Sequence, residues 1–256
     1  MEKFSLYKMR RIKKEELSKI RKLLKNEKEN FPPQKCEIKE IFSDKINIIA
    51  EIKMASPSEK NIKIIDPLKQ AELYIRGGAN AISILTDKTF FNGNWLYIKK
   101  IRKKFCIPIL CKEFIYFKEQ IDLASKFGAT FILLIVKTLS KEEIKELYLY
   151  AHTRNIIPLL EIHEYEEYSK IENLSPPMIL INNRNLETLK IEKSVGLDTI
   201  KKLPSTIFKI AASGIYSKED IKKIYELTGV NTFLIGTSIM KHPCPDEFIR
   251  ELKNVY

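Results

Sequence analysis

The stretch TFILLIVKTLSKEEIKELYLYAHTRNIIPLLE, residues 130–161, consists of two apolar runs separated by an amphipathic segment. The runs, Thr130–Val136 and Ile156–Glu161, are rich in Ile and Leu, as is typical of strands buried on both faces of a sheet. Between them, Ser140 and Glu143 have the spacing of a capping box, which begins a helix. The stretch therefore predicts a strand, a helix and a second strand.

The same alternation extends along the chain in both directions. Six further apolar runs are bounded by turn residues: Ile46–Lys53, Ala81–Leu85, Ile107–Lys112, Met178–Asn182, Phe208–Ala212 and Thr232–Gly236. Helix signals lie between them, such as Asp66–Pro67 at a helix start and Gly128 and Gly229 after helix ends. Eight such units favour a closed (β/α)8 TIM barrel of the α/β class, with a doubly wound open sheet as the structural alternative.

Residues 1–45 precede the first predicted strand. They contain a predicted helix from Lys14 to about Lys28, followed by a break at Pro32–Pro33. We expect this segment to be an N-terminal helical extension packed on the barrel, and residues 46–256 to form the barrel itself.

The composition is that of a globular protein without disulfides or metal sites. The chain has 256 residues, of which 44% are hydrophobic, enough for one large core. Its cysteines, Cys36, Cys106, Cys111 and Cys244, show no CxxC spacing, so neither a disulfide framework nor a zinc site is expected. The charged N-terminus lacks a signal-peptide pattern, and no segment reaches the ~20 apolar residues of a membrane span. We expect a cytoplasmic protein with no membrane partner.

The formal net charge of +12 raises the question of a nucleic-acid partner. The lysines, however, are scattered among glutamates along the predicted helices, and no basic cluster alternates with aromatic residues. The pattern favours a lysine-rich solvated surface. We therefore expect no nucleic-acid partner, and we expect a monomer.

Ionisable or amide side chains end four of the predicted strands. Glu51 and Lys53 end the first strand, Lys112 the third, Glu161 the fifth and Asn182 the sixth. In a barrel these strand ends meet at one mouth. Lysines and glutamates that share a mouth shift one another's pKa values and can supply an acid and a base near neutral pH. No serine or cysteine has a recognisable His–Asp partner, so acid–base chemistry is favoured over nucleophilic catalysis.

Glycines follow the seventh and eighth predicted strands. Ser213–Gly214 comes after one and Gly236–Thr237 after the other. Glycines let backbone N–H groups approach phosphate oxygens closely, and the loops after these two strands are the usual phosphate site of such barrels. The pattern predicts a phosphate-binding site.

Seven motifs, in order over about residues 46–255, resemble the indole-3-glycerol-phosphate synthase family. They are IIAEIKMASPS, SILTDKTFFNG, PILCKEFI, LLEIH, INNRNLETL, ASGI and FLIGTSIM. The resemblance implies an enzyme of tryptophan biosynthesis that needs neither cofactor nor metal. The family converts the phosphorylated small molecule 1-(o-carboxyphenylamino)-1-deoxyribulose 5-phosphate to indole-3-glycerol phosphate, with release of carbon dioxide and water.

The resemblance also implies roles for five polar residues at the matching motif positions. Lys112 corresponds to the general acid that protonates the ribulose carbonyl. Glu161 corresponds to the base of the dehydration step. Lys53 corresponds to a contact with the phosphate and the substrate carboxylate. Glu51 and Asn182 correspond to residues that hold hydroxyl groups and orient the lysines.

Further positions carry implied substrate contacts. Ser56 and Arg184 resemble positions that bind the substrate carboxylate and order a loop, and Gly214, Gly236 and Thr237 resemble the phosphate site. The resemblance assigns the wall around the aromatic ring to Phe91, Phe114, Leu133, Leu186 and Leu189. Without the resemblance, these apolar residues would be interpreted as ordinary core.

The chain departs from the family pattern at several positions. Ala212 replaces a glutamate that the family uses in its active site, Met54 replaces a basic residue, and Asn185 replaces an aspartate. These departures leave open an impaired or silent barrel that binds the phosphorylated substrate or a partner. The neighbouring isomerase of the pathway would need a Cys and an Asp at the ends of strands one and four, where this chain has EIK and IVK, and it is discounted.

Overall fold

A computed structural model describes residues 6–31, 37–57 and 66–255, so the predicted break at Pro32–Pro33 and Cys36 lie outside the described residues. Eight parallel strands pair with their neighbours in chain order, and the eighth pairs with the first. The strands are β1 Asn47–Ile52, β2 Ala81–Leu85, β3 Ile109–Lys112, β4 Phe131–Ile135, β5 Ile157–Ile162, β6 Met178–Asn182, β7 Phe208–Ala212 and β8 Thr232–Ile235. The barrel is therefore closed, and the open-sheet alternative is wrong.

Helices surround the barrel and precede its first strand. They are α1 Leu6–Asn26, α2 Ile38–Ile41, α3 Pro67–Arg76, α4 Lys88–Phe91, α5 Leu96–Lys104, α6 Lys118–Lys126, α7 Lys141–Thr153, α8 Lys193–Lys202, α9 Lys218–Thr228, α10 Thr237–Lys241 and α11 Pro245–Lys253. None of the described helices is both long and apolar enough to cross a membrane.

The predicted strands coincide with the observed ones at β2, β6 and β7 and differ at the ends of the others. The third prediction began at Ile107, two residues before β3. Ile107 is buried like a strand residue, but regular pairing with β2 begins only at Ile109. Buried apolar residues therefore extend beyond the hydrogen-bonded part of the strand. The sequence pattern predicts which residues are buried, and it does not predict where the strand pairing begins.

The crossover between β5 and β6 contains no α-helix. Two 3₁₀ helices, Tyr165–Lys170 and Glu172–Leu174, replace it, and Ser175 follows them in the left-handed region at φ 45°. Pro176 and Pro177 come next. A proline disfavours the helical conformation of the residue that precedes it. The chain is still a (β/α)8 barrel, in which 3₁₀ turns take the place of the α-helix at this crossover.

Helix α1 begins at Leu6, so the predicted start at Lys14 is wrong. Met9 and Ile12 continue the buried face of the helix towards its N-terminus, because they lie on the same side as Ile20. The helix packs on α6, and Arg21 forms an ion pair with Glu119 there at 2.6 Å.

Several helices begin or end at the capping residues that the sequence predicted. The Asp66 carboxylate accepts a hydrogen bond from Leu68 N at 2.9 Å, and Pro67 is the first residue of α3. Ser140 and Glu143 form the predicted capping box of α7. Gly128 and Gly229 have φ values of 84° and 73°, a conformation that glycine adopts without a steric penalty. These predictions are confirmed.

Candidate active site

A cavity of about 1050 Å³, open to solvent, lies at the carboxyl ends of the barrel strands. The side chains or backbones that the sequence singled out all line it: Glu51, Lys53, Ser56, Phe91, Lys112, Phe114, Leu133, Glu161, Asn182, Arg184, Leu186, Leu189, Ser213, Gly214, Gly236 and Thr237. The fold brings them together because parallel strand ends point to the same rim of a barrel.

Glu51 lies between two lysines. Its carboxylate contacts Lys112 Nζ at 2.7 Å and Lys53 Nζ at 3.2 Å. Burial opposes ionisation of Glu51, but the two ammonium groups outweigh it and lower the pKa of Glu51 to about 2. Burial also opposes the charge of Lys112, yet Glu51 and Glu161 raise the pKa of Lys112 above its usual value. The site therefore holds Lys112 as a charged proton donor at neutral pH.

Glu161 is buried at the end of β5, and its two carboxylate oxygens differ in their contacts. Oε1 accepts a hydrogen bond from Asn182 Nδ2 at 3.1 Å and lies 3.4 Å from His163 Nε2. Oε2 has no hydrogen-bond partner among the described residues. Burial favours the neutral form, but His163 and Lys112 outweigh it and lower the pKa of Glu161. An ionised carboxylate with one uncommitted oxygen can accept a proton.

Asn182 connects this carboxylate to the loops after β6 and β7. Its Oδ1 accepts hydrogen bonds from Ser213 Oγ at 2.8 Å and from Arg184 N at 3.1 Å. The Arg184 guanidinium in turn donates to Leu189 O at 2.9 Å. These contacts fix the orientation of the Asn182 amide, whose NH2 group faces Glu161.

The backbone approaches the cavity closely at two glycines. Gly214 follows Ser213 in the left-handed region, with φ 75°, and a Cβ there would lie 2.8 Å from Ile191. A Cβ on Gly236 would lie 2.5 Å from Glu51 Oε1. Thr237 Oγ1 accepts a hydrogen bond from Lys53 Nζ at 2.8 Å. A side chain at Gly214 would displace the loop that carries Ile191, and a side chain at Gly236 would displace the carboxylate of Glu51.

Apolar side chains form another part of the cavity wall. The rings of Phe91 and Phe114 are 6.4 Å apart at an angle of 34°. Leu133 lies on β4, and Leu186 and Leu189 lie in the loop after β6. A planar aromatic group would bury its faces against such a surface.

A buried ion cluster behind this wall was not predicted from the sequence. Lys13 of α1 is fully buried and contacts Asp87 directly, Glu113 at 2.9 Å and Glu16 at 3.0 Å. These carboxylates raise the pKa of Lys13 against the opposing effect of burial. One signal was available: Glu113 directly follows Lys112.

Asp87 also accepts hydrogen bonds from the backbone of Phe90, at 2.7 Å, and of Phe91, at 3.2 Å, at the start of α4. Glu113 accepts one from Phe114 N at 2.8 Å. Lys13 thus holds together the two loops that carry the aromatic wall. The contribution of α1 to the cavity is indirect.

Ala212 ends β7 and pairs with Asn182 in the neighbouring strand, but it does not line the cavity. Within the described ranges, no three His, Cys, Asp or Glu side chains are grouped so that they could hold a metal ion. Cys106, Cys111 and Cys244 are free thiols.

Known structures with the same fold have distant sequences. KGPDC from Streptococcus mutans matches with a TM-score of 0.62 and 16% identity, covering 82% of this chain and 97% of that one. Thiamine phosphate pyrophosphorylase from Pyrococcus furiosus matches with a TM-score of 0.58 and 14% identity, covering 83% and 95%. These likenesses concern the barrel alone.

Closer relatives share one name, indole-3-glycerol phosphate synthase. The protein of that name from Aliarcobacter butzleri is 38% identical over 246 residues, which cover 95% of this chain and 93% of the relative. The one from Aquifex aeolicus is 38% identical over 242 residues, covering 93% and 91%. The family model of indole-3-glycerol phosphate synthase matches residues 1–252, including α1. The chain therefore belongs to the indole-3-glycerol phosphate synthase family.

Proposed function

We propose that the cavity carries out the family's ring closure, with Lys112 as the general acid and Glu161 as the base. The substrate is 1-(o-carboxyphenylamino)-1-deoxyribulose 5-phosphate, and the products are indole-3-glycerol phosphate, carbon dioxide and water. One observation supports this proposal above the others: an ammonium donor and a carboxylate acceptor from different strands share one cavity with two close glycine loops.

In the first step, Lys112 donates a proton to the ribulose carbonyl oxygen while the ring carbon attacks the carbonyl carbon. The aromatic ring then loses its carboxyl group as carbon dioxide. The contact of 2.7 Å with Glu51 supports this role, because it fixes the direction of the ammonium group and keeps it charged before the reaction.

In the second step, loss of water completes the pyrrole ring. Glu161 accepts a proton from the intermediate, and a protonated group at the mouth returns one to the leaving hydroxyl. His163 and Lys112 hold the Glu161 carboxylate ionised against its burial, which supports its assignment as the base. Asn182 and Glu51 orient the reacting groups in this scheme, because they bind Glu161 and Lys112 directly.

The phosphate occupies the loops after β7 and β8 in this proposal. Gly214 and Gly236 leave room for it, and the first turn of α10 has backbone N–H groups without intrahelical acceptors. Lys53 and Thr237, hydrogen-bonded to each other, complete the site, and Ser213 lies beside it. Binding the phosphate away from the reacting carbons restricts the conformations of the substrate.

The aromatic ring lies against Phe91, Phe114 and the three leucines of the wall, and Ser56 and Arg184 face the substrate carboxylate. Burial of a ring between phenyl groups supports this placement, since aromatic pairs attract beyond their buried area. Ser56 and Arg184 line the same cavity as Lys112. The carboxylate is bonded to the ring carbon that attacks the carbonyl, so side chains that bind the carboxylate also position the reacting carbon.

The comparisons do not support the alternative of a silent barrel, because full-length relatives carry the synthase name. The acid, the base and their partners are present despite Ala212. We therefore include Ala212 among the positions to test and propose that turnover does not depend on a glutamate there.

We further propose that the protein is a cytoplasmic monomer that binds no nucleic acid. The interspersed lysines and glutamates of the surface support this, since pairs such as Lys99–Glu27 at 2.8 Å neutralise part of the positive charge. We also propose that residues 1–45 are an appendage of one barrel domain. The packing of α1 on α6 supports that division.

The direct test is turnover of the carboxyphenylamino-deoxyribulose phosphate, followed by indole fluorescence. Lys112→Met and Glu161→Gln should each lower kcat by about 100-fold or more, the usual contribution of a general acid or base. Lys100→Met, an exposed position on α5, is the matched control and should retain activity. Ala212→Glu should leave turnover within a few-fold. Full activity of Lys112→Met would show that the proposed acid is wrong.

A further inference from the structure

His163 lies one residue beyond the end of β5, next to Glu161 of the active-site cavity. Its side chain is 10% exposed and lies between two carboxylates. Nε2 is 3.4 Å from Glu161 Oε1, and Nδ1 is 3.7 Å from Glu167 Oε2. The same Glu167 oxygen accepts a hydrogen bond from the backbone N of His163 at 3.3 Å.

A buried imidazole between two carboxylates favours the charged form. Neither ring nitrogen makes a hydrogen bond to a described residue, so the contacts with the two carboxylates are ion pairs. Burial alone would lower the pKa of His163, but Glu161 and Glu167 outweigh it and raise the pKa to about 9. The imidazole therefore carries a positive charge at neutral pH and cannot itself accept a proton from Glu161.

We propose that His163 is a positioning residue for catalysis: as an imidazolium between Glu161 and Glu167, it forms an ion pair with Oε1 of Glu161 and keeps that carboxylate ionised. The inference rests on the proposed role of Glu161 as the base. Glu167 supports His163 in turn, because it accepts a hydrogen bond from the backbone N of His163 and lies 3.7 Å from Nδ1 of the ring.

Other charged groups face the same region from the surrounding elements. They are Lys112 at the end of β3, Lys137 after β4, Glu164 and Glu167 after β5, Arg184 after β6, and Glu192 before α8. Of the cations, Lys112 also lowers the pKa of Glu161. Loss of the imidazolium would therefore remove one of two main cations, and the pKa of Glu161 would rise.

The first measurement is an NMR titration of the histidine rings in the full-length protein. The chain has three histidines, so His163→Gln and His152→Gln variants assign the signals. We expect His163 to titrate near pH 9 and to titrate at lower pH in Glu167→Gln and in Glu161→Gln. A His163 signal that titrates near the ordinary value of about 6.5 would overturn the proposal.

The second measurement is the pH profile of kcat for His163→Gln, with folding checked by circular dichroism. The acid limb should move to higher pH, while kcat on the alkaline side of the limb and KM stay within a few-fold of the parent. A purely structural role would lower kcat equally at all pH values and would contradict the proposal. His152→Gln, on α7, is the matched control and should leave the profile unchanged.

If His163→Gln does not fold, Glu167→Gln answers the same question because it leaves the imidazole in place. The expected result is a lower pKa of His163 together with an acid limb of kcat that moves to higher pH, and an unchanged pKa of His163 would overturn the proposal. Failure of the base assignment is distinguishable: an active Glu161→Gln removes Glu161 from catalysis, whereas the histidine titration still reports the ion pair.

Discussion

Lys13 is a fully buried lysine whose ammonium group meets carboxylates from α1 and from the loops after β2 and β3. A buried charge is costly unless it is paired, and removing one member of a buried set leaves the others uncompensated. Here the remaining members would be Asp87 and Glu113, which hold the backbone of Phe91 and Phe114. The lysine therefore connects the stability of the fold to the shape of the aromatic wall.

Lys13→Met should lower the free energy of unfolding by about 3–5 kcal/mol, the range found when one partner of a buried ion pair is removed. KM for the substrate should rise as well, because Phe91 and Phe114 lose their fixed backbone positions. Urea denaturation and steady-state kinetics measure the two effects. Lys14→Met is the matched control, since Lys14 is exposed on the same helix. Equal stability of the two variants would contradict this account.

At the residue scale, the ionisable side chains at the strand ends could be predicted from the sequence because they interrupt buried strands at one fixed place, whereas the apolar wall followed only from the family resemblance. Glu51, Lys112 and Glu161 stand out for that reason alone. Lys13 could not be predicted, because a lysine within MRRIKKEELSK looks like part of a solvated helix face. Its partner Asp87 is 74 positions away along the chain, and no local pattern reports that contact.

The start of α7 shows how one element is fixed by its own sequence and by a distant one. Ser140 Oγ accepts a hydrogen bond from Glu143 N at 3.2 Å, and the Glu143 carboxylate accepts one from Ser140 N at 2.9 Å. The same carboxylate pairs with both terminal nitrogens of Arg10 on α1. The cap therefore also forms part of the contact between α1 and the barrel.

Ser140→Ala should lower the free energy of unfolding by about 1 kcal/mol, because Glu143 N loses its capping acceptor. The midpoint of thermal or urea unfolding measures this loss. Turnover should be unchanged, since α7 contributes no side chain to the cavity. Ser169→Ala, in the 3₁₀ segment after β5, is a control in which the hydroxyl caps no α-helix N-terminus. A loss of activity without a loss of stability would contradict this interpretation.

At the element scale, the strands could be predicted because both of their faces are buried, and their order followed from the alternation with helices. The ends of the strands could not be predicted, because residues such as Ile107 are buried although they lie outside the hydrogen-bonded strand. The missing α-helix between β5 and β6 was also beyond the sequence pattern. Apolar residues in that crossover, such as Ile171, are buried by a 3₁₀ path just as a helix would bury them.

The whole molecule carries a formal charge of +12, and Glu51, a carboxylate buried between two lysines of the site, has a strongly lowered pKa. The pKa of Glu51 is about 2 in the folded protein and ordinary, about 4.3, in the unfolded chain. At pH values above the ordinary pKa, the ionised Glu51 therefore stabilises the folded protein. That contribution is lost as pH falls towards about 2. The raised pKa of Glu113 acts in the opposite direction.

The free energy of unfolding should accordingly decrease as pH falls from about 5 to about 2, and less steeply in Glu51→Gln than in the parent. Urea denaturation at a series of pH values measures both slopes. Glu72→Gln is the control, because Glu72 is exposed and makes only a surface pair with Lys104. Identical slopes for the parent and Glu51→Gln would show that Glu51 is not held ionised by the two lysines.

Because β1 pairs with β8, the site combines residues from the beginning and the end of the barrel sequence, and the ribosome makes these residues at different times. Glu51 and Lys112 belong to the first three strands, whereas Gly236 and Thr237 belong to the last loop before the C-terminal helices. A chain emerging from the ribosome thus contains Lys112, the proposed proton donor, long before the loop proposed to receive the phosphate. In that proposal, a nascent or truncated chain that ends before β8 carries Lys112 and Glu161 but lacks the loop that anchors the substrate.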